Sequence, residues 1–193
     1  MKKLLESVRE GCKKLLHVLF GDYHYWKVLT VSPPLKPVVL PDDVTIIPVD
    51  RGMLEAVVDP GVQDRLFHEG GASQGFGLYV GDRLAAVLWF WWGARYEEGR
   101  AGRSWPLPEG AAKLVGLYTL PEFRGRGYAL MLQSAAIGEM FDRGFSAILC
   151  RVWHSHRSSL RVFEKGGWKA LGSYVELCPL GRRFRLRLNS FSS

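Results

Sequence analysis

The residues with the clearest chemical potential are Arg124-Gly125-Arg126-Gly127-Tyr128-Ala129. A short apolar run of strand character (Leu114, Val115, Leu117, Tyr118) precedes them, and Pro121, which cannot donate to a sheet, ends it. A helical pattern follows at once. Leu132, Ala136 and Met140 fall on one stripe, with Leu130, Ile137 and Phe141 beside it, at the spacing of a helix face. Gly144 stands where a helix end tolerates the left-handed conformation. A strand, a glycine turn and a helix start together make an anion cradle. The first-turn amides have no intrahelical acceptor, the helix dipole places partial positive charge there, and glycines let a ligand approach the backbone. Phosphate is the group this arrangement suits. The spacing excludes two other phosphate loops, G-x-x-x-x-G-K-[ST] and G-x-G-x-x-G.

Other side chains could move protons. His154 lies in the polar stretch Trp153-His154-Ser155-His156-Arg157, at the end of a predicted strand over 146–152, and a histidine titrates in the range a general base needs. Tyr118 and Tyr128 carry hydroxyls near the loop, and Glu97 and Glu98 open a long glycine- and proline-rich segment over 97–110. Four consecutive aromatics, Trp89 to Trp92, must alternate between the faces of a strand. Most of them are core; with Trp105 they hint at an apolar or sugar-bearing acceptor. Cys12, Cys150 and Cys178 lack metal-ligand spacing, so no metal is expected, and an odd number of cysteines suits a reducing cytoplasm.

The elements that must position these groups read as follows. Residues 2–20 form a basic amphipathic helix and 23–31 a strand, and a proline-rich connector runs on to residue 40. This extension (1–40) precedes a single domain over 41–193. The domain opens with a strand at Val44–Val49, despite Pro48. Asp50 caps a short helix through Val58, and Asp59-Pro60 starts another through His68. Strands Phe76–Val80 and Leu84–Trp92 flank the turn Gly81-Asp82-Arg83. After the loop and its helix come the strand over 146–152, a helix over Ser159–Lys165 capped by Ser155 or Ser158, and a hairpin of Lys169–Cys178 with Arg182–Leu188. The fold class is α/β: a mixed, mostly antiparallel central sheet with helices on both faces.

A net charge of +7 calls for an anionic partner: nucleic acid, a membrane surface or a polyphosphorylated cofactor. No nucleic-acid module is recognisable, and the Arg183, Arg185 and Arg187 face reads as a solvated strand edge. No run reaches the about 18 apolar residues needed to span a bilayer, and no secretory leader pattern is present. The leucine stripe of residues 2–20 needs a cover. The domain's own sheet, a second copy of the chain in a homodimer, or peripheral contact with a membrane would each supply one, and the adjacent strand favours protein.

Arg124, Gly127 and Ala129, after the lead-in Pro121-Glu122-Phe123, resemble the R-x-x-G-x-A form of the acyl-CoA pyrophosphate loop of the GNAT acetyltransferase superfamily. A second segment, His156 to Trp168, is similar to that family's N-x-x-S/A-x-x-L-Y-E-K-x-G-F stretch. The element order over about 44–188 matches as well. The resemblance implies an N-acyltransferase, most simply an N-acetyltransferase, that uses acetyl-CoA or another acyl-CoA to modify a small-molecule or peptide amine. It implies that main-chain amides of Arg124, Gly125, Arg126, Gly127, Tyr128 and Ala129 hold the pyrophosphate. It further implies that Gly116, Leu117, Tyr118 and Thr119, splayed from the neighbouring strand, bind the acyl carbonyl and pantetheine. His156 stands in place of the usual Asn as a cofactor contact. The Tyr that often protonates the departing thiolate is Phe163, and the glutamate base of N-terminal protein acetyltransferases is Arg151. The family's acid and base are thus both missing from their places. That leaves His154 as a candidate base, Tyr118 as a candidate acid, and an acyl-CoA sensor without turnover as the alternative function.

Overall fold

Runs of β-branched and aromatic residues separated by glycine and proline favour strands, and eight form among the described residues. The structure, a computed structural model, describes residues 23–35, 37–99, 105–177 and 184–188. In chain order the elements are β1 (Tyr23–Val31), β2 (Val44–Val49), α1 (Arg51–Glu55), α2 (Pro60–Gln63), a 3-10 turn (Leu66–His68), β3 (Ser73–Val80) and β4 (Arg83–Trp91). There follow α3 (Gly93–Glu98), β5 (Ala111–Thr119), a second 3-10 turn (Pro121–Phe123), α4 (Tyr128–Asp142), β6 (Ala147–Trp153), α5 (Arg157–Lys165), β7 (Lys169–Leu177) and β8 (Phe184–Leu188). The predicted helix over 2–20 lies outside the described residues.

The chain divides into two units. The larger comprises Leu29–Cys150 and Arg157–Lys169, with strand order β2-β3-β4-β5-β6. β2 to β5 are successively antiparallel, whereas β6 joins β5 in parallel, as the intervening helix α4 requires. β2 is the terminal strand here, and that is why Pro48 is tolerated. The smaller unit holds the end of β6, then β1, β7 and β8. In β8, Phe184, Leu186 and Leu188 are 53%, 56% and 45% exposed, so this predicted apolar face is not buried by the described residues.

The aromatic run on β4 splits between two covered faces. On one, Phe76 meets Phe90 edge-on, Arg143 of the segment after α4 stacks on Phe76, and Trp92 meets Phe145. α4 lies against this side of β2–β5 and buries Leu132, Ala136, Ile137 and Met140. On the other face, Trp91 Nε1–H donates to the His68 carbonyl at 2.8 Å. Trp89, Phe90 and Trp91 are all buried.

Several boundaries differ from the expectation for physical reasons. β3 begins at Ser73 rather than Phe76, carrying Gly75 inside the strand. A Cβ there would come within 2.8 Å of the Val49 carbonyl and 2.9 Å of the Trp89 ring, so the glycine makes room for the indole. The helix expected from Asp59 through His68 stops at Gln63, and the 3-10 turn completes the span. Asp59 and Asp50 cap as predicted, accepting from the amides of Val62 and Met53. The segment after β4 opens with the short helix α3, which no periodicity announced. α5 starts at Arg157, between the two predicted caps Ser155 and Ser158 and two residues before the expected Ser159.

Candidate active site

β5 departs from regular geometry in the middle of its length. Val87 faces Tyr118 and Trp89 faces Val115, so Gly116 and Leu117 together oppose Leu88. Such a bulge needs a residue that can turn aside. Gly116 does so at φ 64°, in the left-handed region that side chains resist. On the other edge of β5, the parallel register with β6 ends at Lys113 opposite Leu149. β5 therefore runs on through Gly116, Leu117, Tyr118 and Thr119 past its last paired residue on that side. A glycine inside an apolar strand pattern is the signal by which sequence can find such a place.

The loop after β5 has the predicted geometry. The 3-10 turn leads into Arg124, Gly125 at φ 78°, Arg126 and Gly127 at φ 84°, and α4 starts at Tyr128. No side chain caps α4; Leu130 N–H donates to the Gly127 carbonyl at 2.9 Å, which leaves the Tyr128 and Ala129 amides without an intrahelical acceptor. Arg124 to Gly127 are exposed, with open space around both glycines. Arg124 Nε–H donates to the Thr119 carbonyl at 3.1 Å, tying the loop to the end of β5. Arg83, paired with Glu122 at 2.9 Å, lies over Phe123 and holds the lead-in. Arg124 N–H is spent on the Pro121 carbonyl at 3.3 Å, so the open part of the cradle runs from Gly125 to Ala129, and its backbone amides suit a pyrophosphate.

The first helices bring side chains to the bulge that sequence reading missed. Arg65 Nε–H donates to the Gly116 carbonyl at 3.0 Å, its Nη1–H donates to the Gly61 carbonyl, and its guanidinium lies 4.3 Å from the Tyr118 ring centre. Tyr118 in turn covers Gly61, where any side chain would overlap the phenol. Burial and the neighbouring Asp59 carboxylate push the Tyr118 phenol above its ordinary value, so it keeps its proton at neutral pH. His68 packs its imidazole against Gly116 and is 8% exposed. Burial first, then Arg65, Arg95 and Lys113, lower its pKa to about 4.

That shift makes stability depend on pH. The unfolded chain takes up a proton on His68 near 6.5 and the folded chain only near 4. The stabilising contribution of the neutral ring is therefore complete above 6.5 and is lost as pH falls to 4, at up to about 1.4 kcal/mol per unit. Urea titrations across this interval should show that slope in the native chain and a flatter one in His68→Gln. Equal slopes would mean that His68 protonates freely in the folded state.

The other predicted residues belong to the smaller unit. His154 is half-buried, its amide donating to the Tyr25 carbonyl at 3.1 Å and its Nδ1 lying 3.3 Å from the same oxygen. His156 is exposed and lies 5.7 Å from Trp153, ring centre to ring centre. Arg151 stacks 4.3 Å over Trp26 and donates to the Tyr174 hydroxyl. In the larger unit, Phe163 is buried edge-on to Trp168. Among the described residues no group of His, Cys, Asp or Glu could hold a metal ion, and no helix is long and apolar enough to cross a membrane.

Comparison with known proteins bears on the same segments. The model of the acetyltransferase (GNAT) family matches residues 51–168, more than half of the chain. No curated protein sequence matches it. Among solved structures, a GNAT-family protein from Novosphingobium aromaticivorans is 20% identical with a TM-score of 0.58, over 81% of this chain and 64% of its own. A GCN5-related N-acetyltransferase from Sphaerobacter thermophilus is 16% identical with a TM-score of 0.61, over 91% and 56%. One from Kribbella flavida is 15% identical with a TM-score of 0.56, over 89% and 64%. The chain thus spans less than two thirds of the length of these structures, whose likeness is one of fold. The family model covers the first helices, the bulged strand, the glycine loop and the α5 segment together, and by that match the chain belongs to the GNAT acetyltransferase family.

Proposed function

We propose that the protein is an acyl-CoA-dependent N-acyltransferase, most simply an N-acetyltransferase. The observation that carries this reading is the pairing of the bulge at Gly116 with the uncapped start of α4 behind Gly125 and Gly127. In this reading the amides from Gly125 to Ala129 hold the pyrophosphate, aided by the charge of Arg124 and Arg126. The main chain of Gly116 to Thr119 orients the acyl carbonyl beside the bulge. An acceptor amine then attacks the thioester carbon: a C–N bond forms, the C–S bond breaks and the amine loses a proton. Holding the reactants together supplies much of the acceleration.

Tyr118 is the residue we assign as proton donor to the departing thiolate, because it carries a hydroxyl on the strand segment just past the bulge at Gly116. Phe163 has no proton to donate, and Arg151 is engaged with Trp26 and Tyr174. His154 remains the candidate base and His156 the candidate cofactor contact. The transferase body in this reading is 41–193, working as a soluble cytoplasmic enzyme without a metal.

Calorimetric titration with acetyl-CoA tests the reading. Saturable binding to the native chain is expected, weakened about tenfold in Gly127→Val. The substitution forces a branched side chain into a left-handed position, at roughly 1–2 kcal/mol. Because nothing surrounds Gly127, the fold should survive. Absence of binding would remove the basis of the proposal, whereas binding without thiol release for any amine would leave an acyl-CoA sensor.

A further inference from the structure

Arg65 stands half-buried between α2 and the first 3-10 turn, and two of its nitrogens are held by main chain. Nε–H donates to the Gly116 carbonyl at 3.0 Å and Nη1–H to the Gly61 carbonyl. The ion pairs among the described residues belong to Arg51, Arg83, Arg95 and Arg143, and Arg65 makes none. Burial lowers its affinity for the proton, and Tyr118, Asp64 and Asp59 partly restore it through space. Charges held away from water are ordinarily paired. The charge of Arg65 therefore calls for a negative group that comes and goes.

Such a group adjoins it. The guanidinium lies 4.3 Å from the centre of the Tyr118 ring, and the phenol covers Gly61, whose carbonyl Arg65 also holds. One side chain thus ties together α2, the bulge carbonyl and the ring just past the bulge. The charged groups facing the phenol are Asp59 and Arg65 from the α2 segment and Arg124 from the loop, the last 5.7 Å from the ring centre. On β4, uncharged Val87 stands opposite. Burial and Asp59 push the phenol up, and Arg124 and Arg65 pull it down. Arg124 is exposed, and in the acyltransferase reading a pyrophosphate answers its charge. Arg65 is then the cation left to the phenol.

We propose that Arg65 is a positioning residue acting through Tyr118: it holds the ring beside the bulge and stabilises the phenolate formed when the proton passes to the departing thiolate. The proposal rests on the acyltransferase reading with Tyr118 as proton donor. As the C–S bond breaks, its electron pair stays on sulfur, and the sulfur takes the phenol's proton. The phenolate recovers the proton that the amine nitrogen loses in becoming an amide, so Tyr118 ends the cycle unchanged. Between these two transfers a negative charge rests on the phenolate. A fixed, half-buried cation beside that oxyanion lowers its energy without having to reorganise. A planar guanidinium can lie over the ring while its edge bridges two carbonyls, a task for which a compact ammonium is not shaped.

Two readouts on the full chain test this role. The first needs no turnover. The Tyr118 phenol is titrated by NMR in protein with ring-labelled tyrosine, its signal assigned with Tyr118→Phe. In Arg65→Met the phenol should titrate at higher pH than in the native chain, both free and with CoA bound. The second is kcat for acetyl transfer from acetyl-CoA to an amine. It should fall about tenfold or more in Arg65→Met, with KM for acetyl-CoA nearly unchanged. The high-pH limb of kcat, where the phenol loses its proton, should move up in step with the titration. In a Tyr118→Phe background the same substitution should cost less than about twofold, because its route is gone. If Arg65→Met does not fold, Arg65→Gln keeps a donor for one carbonyl, lacks the charge, and should give the same changes. An unmoved phenol titration, or equal kcat losses with and without the Tyr118 hydroxyl, overturns the proposal. Failure to acylate any amine would sink the acyltransferase reading instead, and the phenol titration, which reads no acyl transfer, separates the two failures.

Discussion

Trp89→Ala is expected to lower stability by roughly 3–5 kcal/mol, the largest single-residue loss in the larger unit. The side chain is 1% exposed on the central strand β4, flanked by β3 and β5. Gly75 is shaped to receive it: a Cβ at that position would stand 2.9 Å from the indole. The indole Nε1 is buried without a partner, so truncation sacrifices no hydrogen bond and the cost is that of lost burial and a cavity. For a chain of this size that corresponds to about 10 °C or more in Tm. Trp92 supplies the contrast. It is only half-buried against Phe145, and Trp92→Ala should cost clearly less. Calorimetry of both variants checks the ranking, and equal losses would contradict this assignment of the core.

Gly116→Ala is expected to cost about 2–5 kcal/mol from two separable sources. The first is conformational: a φ of 64° penalises any side chain by roughly 1–2 kcal/mol. The second is steric: the new methyl would come within 2.6 Å of His68 Cδ2 and 2.7 Å of Nε2, and overpacking of this kind costs roughly 1–3 kcal/mol. A double variant, Gly116→Ala with His68→Ala, distinguishes them. It should be less destabilised than the sum of the two singles, because removing the imidazole relieves the clash but not the backbone strain. Strict additivity would show that the ring does not pack on the bulge. In the acyltransferase reading the single variant should also impair turnover more than Gly127→Val does, since it displaces the carbonyl to which Arg65 donates.

The loop, its helix and the strand alternation were legible because each is a local pattern. Pro121 stops a strand, the glycines at 125 and 127 turn the chain, and the stripe of Leu132, Ala136 and Met140 recurs with the helical period. The assignment of Trp89 and Trp91 to one face and Phe90 and Trp92 to the other needed only the two-residue repeat of a strand. Boundaries failed where a tertiary neighbour overrode local preference. Gly75 looks like a connector until Trp89 lies across it, and the segment 60–68 reads as one helix until Arg65 and His68 are drawn to β5.

The chemistry divides in the same way. The glycine turn and helix start after β5 were legible in the sequence, because such backbone devices are written in glycine, proline and periodicity, whereas the bulge at Gly116 came with the structure. Only the tertiary structure decided what stands at the bulge. Arg65 reaches Gly116 from 51 residues away, and Trp91 meets His68 across 23. Arg95 stacks on Trp91 from the short helix α3. Contacts at such separations leave no periodic trace in the chain: packing, not spacing, buries an imidazole and a guanidinium on one indole.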